Sequence, residues 1–422
     1  MWLRLYADKL FFCGEGWLNM PIYLDEVPEN ADGVSRPSTM RWIIFLVVIL
    51  LAGLVLTLWQ WTGDQRGISF WFTAIGLPFC LWGGLFVFRH IGYRLELKGE
   101  AGWNYESDDL EEAEISRGRR FSWVLNTWVQ TPAGRGTGSL SAAMALGIPL
   151  LKTTKPRSGG ESIRHAPITD FDAGPEAVAK AIEKAALRIN KTLKRLPEEL
   201  PCWLVLECDA ELSVAKEAEL LQLVTEKSGR ALRQIPGQGM NALDYWLDHH
   251  WAKPSVLVIL TLTLRTLPQE NDAEAIAAIV LCNRKSHHYP DAVRLHRPQK
   301  SIPETLTHNM AHALRWAGLS PDAINGIWIT GEAVTDRPGL NQSCEDNKLT
   351  LSLTGDINNI DATLGYAGQA SPWIAVALAA DKVSEPGGQL VAAQPDPGSD
   401  DIWLISMTIA EREKDIIRDE QR

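Results

Sequence analysis

Two long, nearly uncharged stretches lie close to the N-terminus of this 422-residue chain. They occupy residues 42–61 and 67–88, and only residues 62–66 separate them. A helix of about 20 apolar residues is long enough to cross the ~30 Å hydrocarbon core of a bilayer. Because so short a connection allows only a tight turn, we predict a hairpin of two transmembrane helices whose ends lie on the same side.

The cations that flank the two stretches predict their orientation, because lysine and arginine are enriched on the cytoplasmic side of membrane helices. The turn has only Arg66, offset by Asp64. We therefore predict a two-pass membrane protein with both termini and the main domain in the cytoplasm. Six scattered cysteines without a CxxC pair fit a reducing compartment. The outer flanks carry Arg4, Lys9, Arg36 and Arg41 before the hairpin, and Arg89, Arg94 and Lys98 after it.

The segments around the hairpin differ in character. Residues 1–39, before the hairpin, form either an amphipathic segment at the membrane interface or a flexible or partner-bound tail. An acidic block followed by arginines, after the hairpin, is typical of a solvated linker or helix face. The net charge of −11 argues against non-specific nucleic-acid binding. We divide the chain into an N-terminal segment (1–39), the hairpin (40–92), a charged linker (93–119), the main domain (120–410) and a charged tail (411–422).

From residue 121 the sequence alternates between apolar, strand-like runs and helical patterns. Such an alternation predicts a layered α/β domain with helices on both faces of its sheet. Helices are predicted at 174–196, 213–228, 240–251, 302–317 and 372–383, and Gly318 is suited to end the fourth in the left-handed conformation. Strands are predicted in FSWVLNTWV, CWLVLEC, SVLVILTLTL, EAIAAIVLCN, INGIWIT and DIWLISMTI.

One segment of the second half is more specific than any periodicity. ETLTHNMAHALRWAGLSPDAINGIWITGEAV, from Glu304, resembles the β-ketoacyl synthase segment of the thiolase-like superfamily, where a helix and an AGLSP-type turn lead into a strand with a catalytic histidine. IDATLGYAGQASPWIAVALAADKV resembles the turn and helix that bear the second histidine. Weaker matches in the same order extend the resemblance over 120–410. It implies a thiolase-like α/β fold, in which two βαβαβαββ halves pack in five layers.

The catalytic groups of that family do not carry over to this chain. A ketosynthase needs a cysteine at a helix N-terminus, where the helix dipole lowers the thiol pKa and backbone N–H groups form an oxyanion hole. The matching stretch, GRALRQIPGQGMNA at 229–242, has neither cysteine nor serine. Thr330 stands at the first histidine's position and Tyr366 at the second's. Neither shuttles protons near neutral pH as imidazole does, so we treat both as vestigial positions and predict no catalytic residue and no cofactor.

Other motifs are weaker candidates for chemistry. His308 and His312 lie one helical turn apart, but no glutamate completes the HExxH pattern, so no metal site is predicted. GRGTG at 134–138 lacks the Lys-Ser/Thr of a P-loop and is expected to be an ordinary loop. Cys208, Asp209 and Glu211, at the end of a predicted strand, form either a thiol–carboxylate site or a strand terminus with an acidic pair that begins a helix.

Three functions fit these observations. The first is a non-enzymatic, membrane-anchored scaffold or adaptor, similar in architecture to accessory and effector-adaptor proteins of bacterial type VI secretion; its partner is a secretion effector or an apparatus component. The second is a non-catalytic partner subunit of a ketosynthase in lipid or polyketide synthesis, for which we expect an exposed, self-complementary strand near 255–264. The third is an acyl-transfer enzyme with a displaced nucleophile, such as Cys208 or Cys282. The resemblance also implies a homodimer.

Overall fold

The computed structural model describes residues 27–61, 67–171, 175–209, 214–265, 267–335, 339–351, 356–383, 387–396 and 398–409. Contacts divide the chain into two compact units, of which one spans Tyr23–Ile115 and the other contains everything from Ser116 onward. The predicted turn at 62–66, the tail at 411–422, Glu211 and most of the predicted segment 1–39 lie outside the described residues.

The two apolar stretches form long helices. The first is Thr39–Gln60, with a mean hydropathy of 2.8 over its most apolar window. The second runs without interruption over Ile68–Gly118, through one π-helical turn at Phe72–Gly76. Both are long and apolar enough to cross a membrane. The stretch predicted as a charged linker or helix face is helical as far as Gly118.

The second unit is a mixed α/β domain. Its longer helices are Thr137–Ala145, Pro175–Leu193, Val214–Ser228, Gly239–His249, Leu306–Ala317, Gly339–Asp346 and Ser371–Lys382, and its shorter ones are Glu332–Thr335 and Ile360–Thr363. Its strands are β1 (Phe121–Thr131), β2 (Gly134–Arg135), β3 (Lys152–Thr154), β4 (Ile163–His165), β5 (Cys202–Asp209), β6 (Leu232–Gln234), β7 (Val256–Thr263), β8 (Ala275–Cys282), β9 (Val293–His296), β10 (Gln299–Ser301), β11 (Ile324–Thr330), β12 (Ile357–Asn359), β13 (Gly388–Ala393) and β14 (Ile402–Thr408).

The predicted elements of this domain are found with small shifts at their ends. All six predicted strands exist, as β1, β5, β7, β8, β11 and β14, and all five predicted helices exist. Gly318 follows Leu306–Ala317 with φ +65°, the left-handed conformation expected of it. The GRGTG motif contributes β2, which pairs with β1, and then the start of the helix Thr137–Ala145.

The strand order shows that the domain is a duplication. In the first half the neighbours are β6, β5, β7, β8 and β1, and in the second half they are β12, β11, β13, β14 and β9. Numbered along the chain within each half, both read 3-2-4-5-1. The strand directions also agree between the halves. In each half, the second strand is parallel to the third and fourth strands, and the fifth strand is antiparallel to the fourth and first strands. Antiparallel pairing of β1 with β9 joins the halves.

Three hydrophobic clusters show how the layers are stacked. The largest contains the helices Gly239–His249 and Ser371–Lys382 together with residues from both halves of the sheet, such as Ile259 of β7 and Val391 of β13. The opposite face of β7, with Val258 and Leu260, packs against Pro175–Leu193 and Val214–Ser228. The opposite face of β13 packs against Leu306–Ala317. Two central helices between two sheet halves, with outer helices on either side, give the five layers that the resemblance implied.

The expectation of an exposed strand near 255–264 is wrong. β7 lies between β5 and β8, and every one of its residues is buried. A strand that is apolar on both faces belongs in the middle of a sheet. The outer strand of the first half is instead β6, where Arg233 and Gln234 are exposed.

Candidate functional site

The helix Gly239–His249 begins in the stretch that the sequence resemblance matched to the nucleophile's position. A carboxyl group lies at the start of this helix, because the backbone N–H of Gly239 donates to Oε1 of Glu207, near the end of β5. A negative group is stabilised at a helix N-terminus by the helix dipole and by free N–H groups. Glu207 therefore takes a backbone donor at the start of this helix.

Thr330, at the first vestigial position, is fully buried at the end of β11. Its hydroxyl donates to Oδ1 of Asp361 at 2.7 Å, and the N–H of Gly331 donates to Oδ2 of the same carboxylate at 2.6 Å. Gly331 has φ +94°, and a Cβ there would lie 2.3 Å from Cβ of Gln394. The strand end is therefore tied to Asp361 and tolerates no side chain at Gly331.

Tyr366, at the second vestigial position, lies in a turn that joins the two halves. Its N–H donates to the carbonyl oxygen of Asn271 at 3.0 Å, and its own carbonyl oxygen accepts from the N–H of Ala273 at 2.9 Å. The phenol hydroxyl donates to the carbonyl oxygen of Gln394 at 3.3 Å. Burial and the nearby Asp361 raise the pKa of this phenol above its ordinary value, so it stays protonated.

The vestigial positions converge on the residues that follow β13. The N–H of Gln394 donates to the carbonyl oxygen of Thr330 at 3.0 Å, while the Gln394 carbonyl accepts from Tyr366. Asp396, two residues on, acts electrostatically on both Glu207 and Tyr366. The fold thus brings Thr330 and Tyr366 together at Gln394, and Asp396 links them electrostatically to Glu207.

Glu207 is a buried carboxyl group whose pKa is strongly shifted. Its exposed fraction is 5%, and burial raises its pKa from an ordinary value of 4.5 to about 7. The negative charge of Asp396 acts in the same direction, while the N–H groups of Gly239 and Trp373 partly oppose it. A carboxyl that titrates near neutral pH is a chemically usable acid or base, but the residues described around it include no activated nucleophile.

Neither cysteine proposed as a displaced nucleophile is activated. Burial, with the charges of Glu217 and Glu207, raises the pKa of the Cys208 thiol to about 12. Cys282 lies within β8, where burial again raises its pKa. A nucleophilic cysteine requires the opposite shift. Asp209, beside Cys208, accepts from Nη2 of Arg265 at 2.8 Å, as expected for a strand terminus.

The histidine candidates stay apart from this site. His308 and His312 contact each other edge to face with ring centroids 4.4 Å apart on one helix. His249 stacks on Tyr245 and His250 on Trp203. Within the described ranges, no group of three or more histidine, cysteine or carboxylate side chains is arranged to hold a metal ion.

Three residues of this site were missed by sequence reasoning: Glu207, Asp361 and Gln394. Glu207 left a usable signal, since it is the charged residue inside the apolar strand CWLVLEC. Asp361 and Gln394 left none, because each contacts residues that are 30 or more positions away.

No family model and no curated protein matches this chain. Solved structures do match. The ishigamide ketosynthase/chain length factor aligns with a TM-score of 0.50 and 12% identity, over 69% of this chain and 100% of that one. The domain has the ketosynthase fold. A ketosynthase from module 6 of the bacillaene synthase of Bacillus subtilis 168 aligns with a TM-score of 0.49 and 10% identity, over 69% of this chain and 71% of that one.

Replacing Glu207 by glutamine should change how stability depends on pH. Because the folded-state pKa is raised, the folded protein holds a proton that the unfolded chain releases, and stability falls as pH rises from about 4.5 to about 7. Glu207→Gln removes this loss, so between pH 5 and pH 8 the variant should gain roughly 2–3 kcal/mol relative to the natural protein. Thermal unfolding across that pH range measures it.

The matched control for this measurement is Glu219→Gln. Glu219 is exposed on the helix Val214–Ser228, so this variant should follow the pH dependence of the natural protein. Parallel pH curves for the natural protein and Glu207→Gln would mean that Glu207 titrates at its ordinary value.

Proposed function

We propose that this protein acts by binding another protein and does not catalyse acyl condensation. The observation that supports this is the filling of the site. Glu207 takes the helix N-terminus, Asp361 takes the end of β11, and Tyr366 is bonded to Gln394. Asp361 and Tyr366 are held by hydrogen bonds, and none of the three groups can replace the thiolate nucleophile of a ketosynthase.

The partner we propose first is an active ketosynthase of lipid or polyketide synthesis. The fold supports this, since it is shared with a ketosynthase/chain length factor. The sheet supports it as well, because β6 pairs with β5 on one side and forms the outer edge on the other. An edge strand offers free N–H and C=O groups to a second sheet.

The two apolar helices suit a membrane anchor for this activity. We propose that Thr39–Gln60 and the first part of Ile68–Gly118 hold the protein in the bacterial inner membrane, with the domain in the cytoplasm. Their length and hydropathy support this, as do the cations on the outer flanks. The ketosynthase and its lipid or polyketide product would then meet at a membrane surface.

Proline at position 234 should abolish pairing through the β6 edge. The N–H of Ile235 donates to the carbonyl oxygen of Leu204 in β5, so the neighbouring N–H of Gln234 points away from β5. Gln234→Pro removes that outward donor without removing a bond to β5. We expect co-purification of the ketosynthase from detergent-solubilised membranes to fall by about tenfold or more, since proline cannot continue a ladder.

Gln234→Ala is the matched control, because it removes the side chain and keeps the N–H; it should retain the partner. Unfolding temperatures of both variants should equal that of the natural protein. Retention of the ketosynthase by Gln234→Pro would show that β6 is not the interface.

A second candidate partner is an effector or apparatus component of type VI secretion. The observation that favours it is the nature of β6, which is three residues long and carries the exposed Arg233. Short, charged edge strands resist pairing with another sheet. Purification of the natural protein and of Gln234→Pro distinguishes the two candidates. Secretion components should co-purify with both proteins. A ketosynthase and carrier proteins should co-purify with the natural protein only.

A further inference from the structure

A cavity of about 220 Å³ lies between β1, the C-terminal end of the helix Pro175–Leu193 and the loop that precedes β9. The loop is tied to the helix there, because the hydroxyl of Tyr289 donates to the carbonyl oxygen of Thr192 at 3.1 Å. The cavity is smaller than the roughly 300–1,000 Å³ of a typical small-molecule pocket, so it suits a small ligand or one end of a larger one.

The strand side of this cavity is irregular. The pairing of β1 with β8 shifts between Val124 and Asn126, so Leu125 has no counterpart, and the pairing of β1 with β9 ends at Val124. Asn126, Thr127 and Trp128 all line the cavity, although successive residues of a regular strand point to opposite faces. Within the described ranges, the side chains of Asn126 and Thr127 form no hydrogen bond, so their amide and hydroxyl donors are available to a ligand.

Three cations from the helix side line the same space. Arg188, Lys191 and Arg195 are exposed and lie three and four positions apart, which places them on one helical face. The helical turn continues as far as Arg195, whose N–H donates to the carbonyl oxygen three residues earlier at 3.1 Å. Lys184, on the preceding turn, pairs with Asp170. By contrast, none of the three lining cations forms an ion pair in the part of the chain that the structure describes.

The charge of this cavity is opposite to that of the whole chain. The net charge of the chain is −11, yet no aspartate or glutamate is among the described residues that line the cavity. Guanidinium groups present forked N–H donors that match the oxygens of a phosphate, and an ammonium group adds a point charge. A phosphate monoester carries a charge of about −1.5 to −2 at pH 7. The cations and the uncharged donors of this cavity therefore suit such a group.

We propose that this cavity binds a phosphate monoester group. Arg188 and Arg195 donate to its oxygens, Lys191 adds a third positive charge, and Asn126 and Thr127 donate from β1. The site requires only residues of the first half and of the loop before β9, so it does not depend on the protein partner proposed above.

Isothermal titration calorimetry on the full chain tests the site, in maltoside micelles because these contain no phosphate. Glycerol 3-phosphate is the probe, and glycerol is its uncharged match. We expect saturable binding of glycerol 3-phosphate and no binding of glycerol, since the phosphate is the group that the cations recognise. Equal binding of the two compounds overturns the proposal.

Two matched double variants localise the binding. Arg188→Gln with Arg195→Gln should lower the affinity for glycerol 3-phosphate by about tenfold or more, because charge-assisted hydrogen bonds are lost. Lys180→Gln with Lys194→Gln removes the same charge from exposed positions of the same segment outside the lining, and should lower it by less than about threefold. Unfolding temperatures verify that both variants fold. Equal losses in the two variants overturn the proposal.

The source of the phosphate is distinguished by a second probe, dihexanoyl phosphatidic acid, which carries the same phosphate monoester on a lipid. Equal affinity for both probes indicates a free phosphate monoester. A tenfold preference for the lipid that is lost in the double arginine variant indicates a lipid headgroup, whereas a preference that this variant retains overturns the site. Failure of both probes to bind also overturns it and leaves the Gln234→Pro experiment unaffected.

Discussion

Asp248→Ala should destabilise the domain by about 3–5 kcal/mol. Asp248 is nearly fully buried at the end of the helix Gly239–His249 and accepts from three arginines. Arg297, with 1% of its side chain exposed, lies 2.7 Å from this carboxylate. It also pairs with Asp244 and donates to the carbonyl oxygen of Arg117. Removing Asp248 leaves a buried guanidinium with one carboxylate instead of two. Denaturant unfolding of the full chain in nanodiscs, followed by tryptophan fluorescence, measures the loss.

The control for Asp248→Ala is Asp291→Ala, at an exposed position, which should change the free energy of unfolding by less than about 0.5 kcal/mol. A loss below about 1 kcal/mol in Asp248→Ala would contradict the account of a buried charge network. The three guanidinium groups would then be satisfied without this carboxylate.

The same network predicts an acid transition. Burial alone would raise the pKa of Asp248, but hydrogen bonds from Arg297 and Arg117 outweigh it and lower the pKa from 3.8 to about 2. A depressed folded-state pKa contributes stability that is complete above the unfolded value and is lost as pH falls through the folded one. About 2 kcal/mol should therefore be lost between roughly pH 4 and pH 2 in the natural protein, and Asp248→Asn should lack this component.

Trp373→Ala should lower the free energy of unfolding by about 3–5 kcal/mol, which is typical of removing a large aromatic side chain from a core. Trp373 is fully buried in the central helix Ser371–Lys382 and belongs to the cluster that joins both halves of the sheet. Its loss leaves a cavity between two layers that cannot close without moving either half. Chemical denaturation and the unfolding temperature measure the effect.

Trp373→Phe is the matched variant, because it keeps an aromatic ring of smaller volume and should cost less than half as much. Equal losses in the alanine and phenylalanine variants would show that the indole N–H, and not its packing, is the stabilising feature. A small loss in both would place Trp373 outside the core that holds the halves together.

Most of the long elements of this domain could be predicted because burial determines their patterns, but β13 and the helices Thr137–Ala145 and Gly339–Asp346 were missed. β7 and β8 are apolar runs without alternation, and both are buried on two faces. β6 and β12 were missed, since three-residue strands are held by a longer neighbour and leave no periodicity of their own. The apolar run of β7 was also predicted to be an exposed, self-complementary strand, whereas such a run is typical of a central strand.

Only those parts of the candidate site that depend on a short stretch of sequence could be predicted. Thr330 ends β11 and Tyr366 lies in a turn, each within a recognisable sequence, and both contact Gln394. The groups that fill the site come from elsewhere in the chain: Glu207 reaches Gly239 across 32 residues, and Asp361 reaches Thr330 across 31. Such contacts depend on strand order, which no short motif contains.

The proposal that this protein does not carry out acyl transfer is tested most directly by intact mass spectrometry. The full chain is incubated with a long-chain acyl thioester, and an active ketosynthase treated in the same way serves as the positive control. Because burial raises the pKa of both Cys208 and Cys282, and Glu207 occupies the helix N-terminus, we predict no acyl adduct on this protein. A gain of one acyl group that is lost in Cys208→Ser or Cys282→Ser would contradict it.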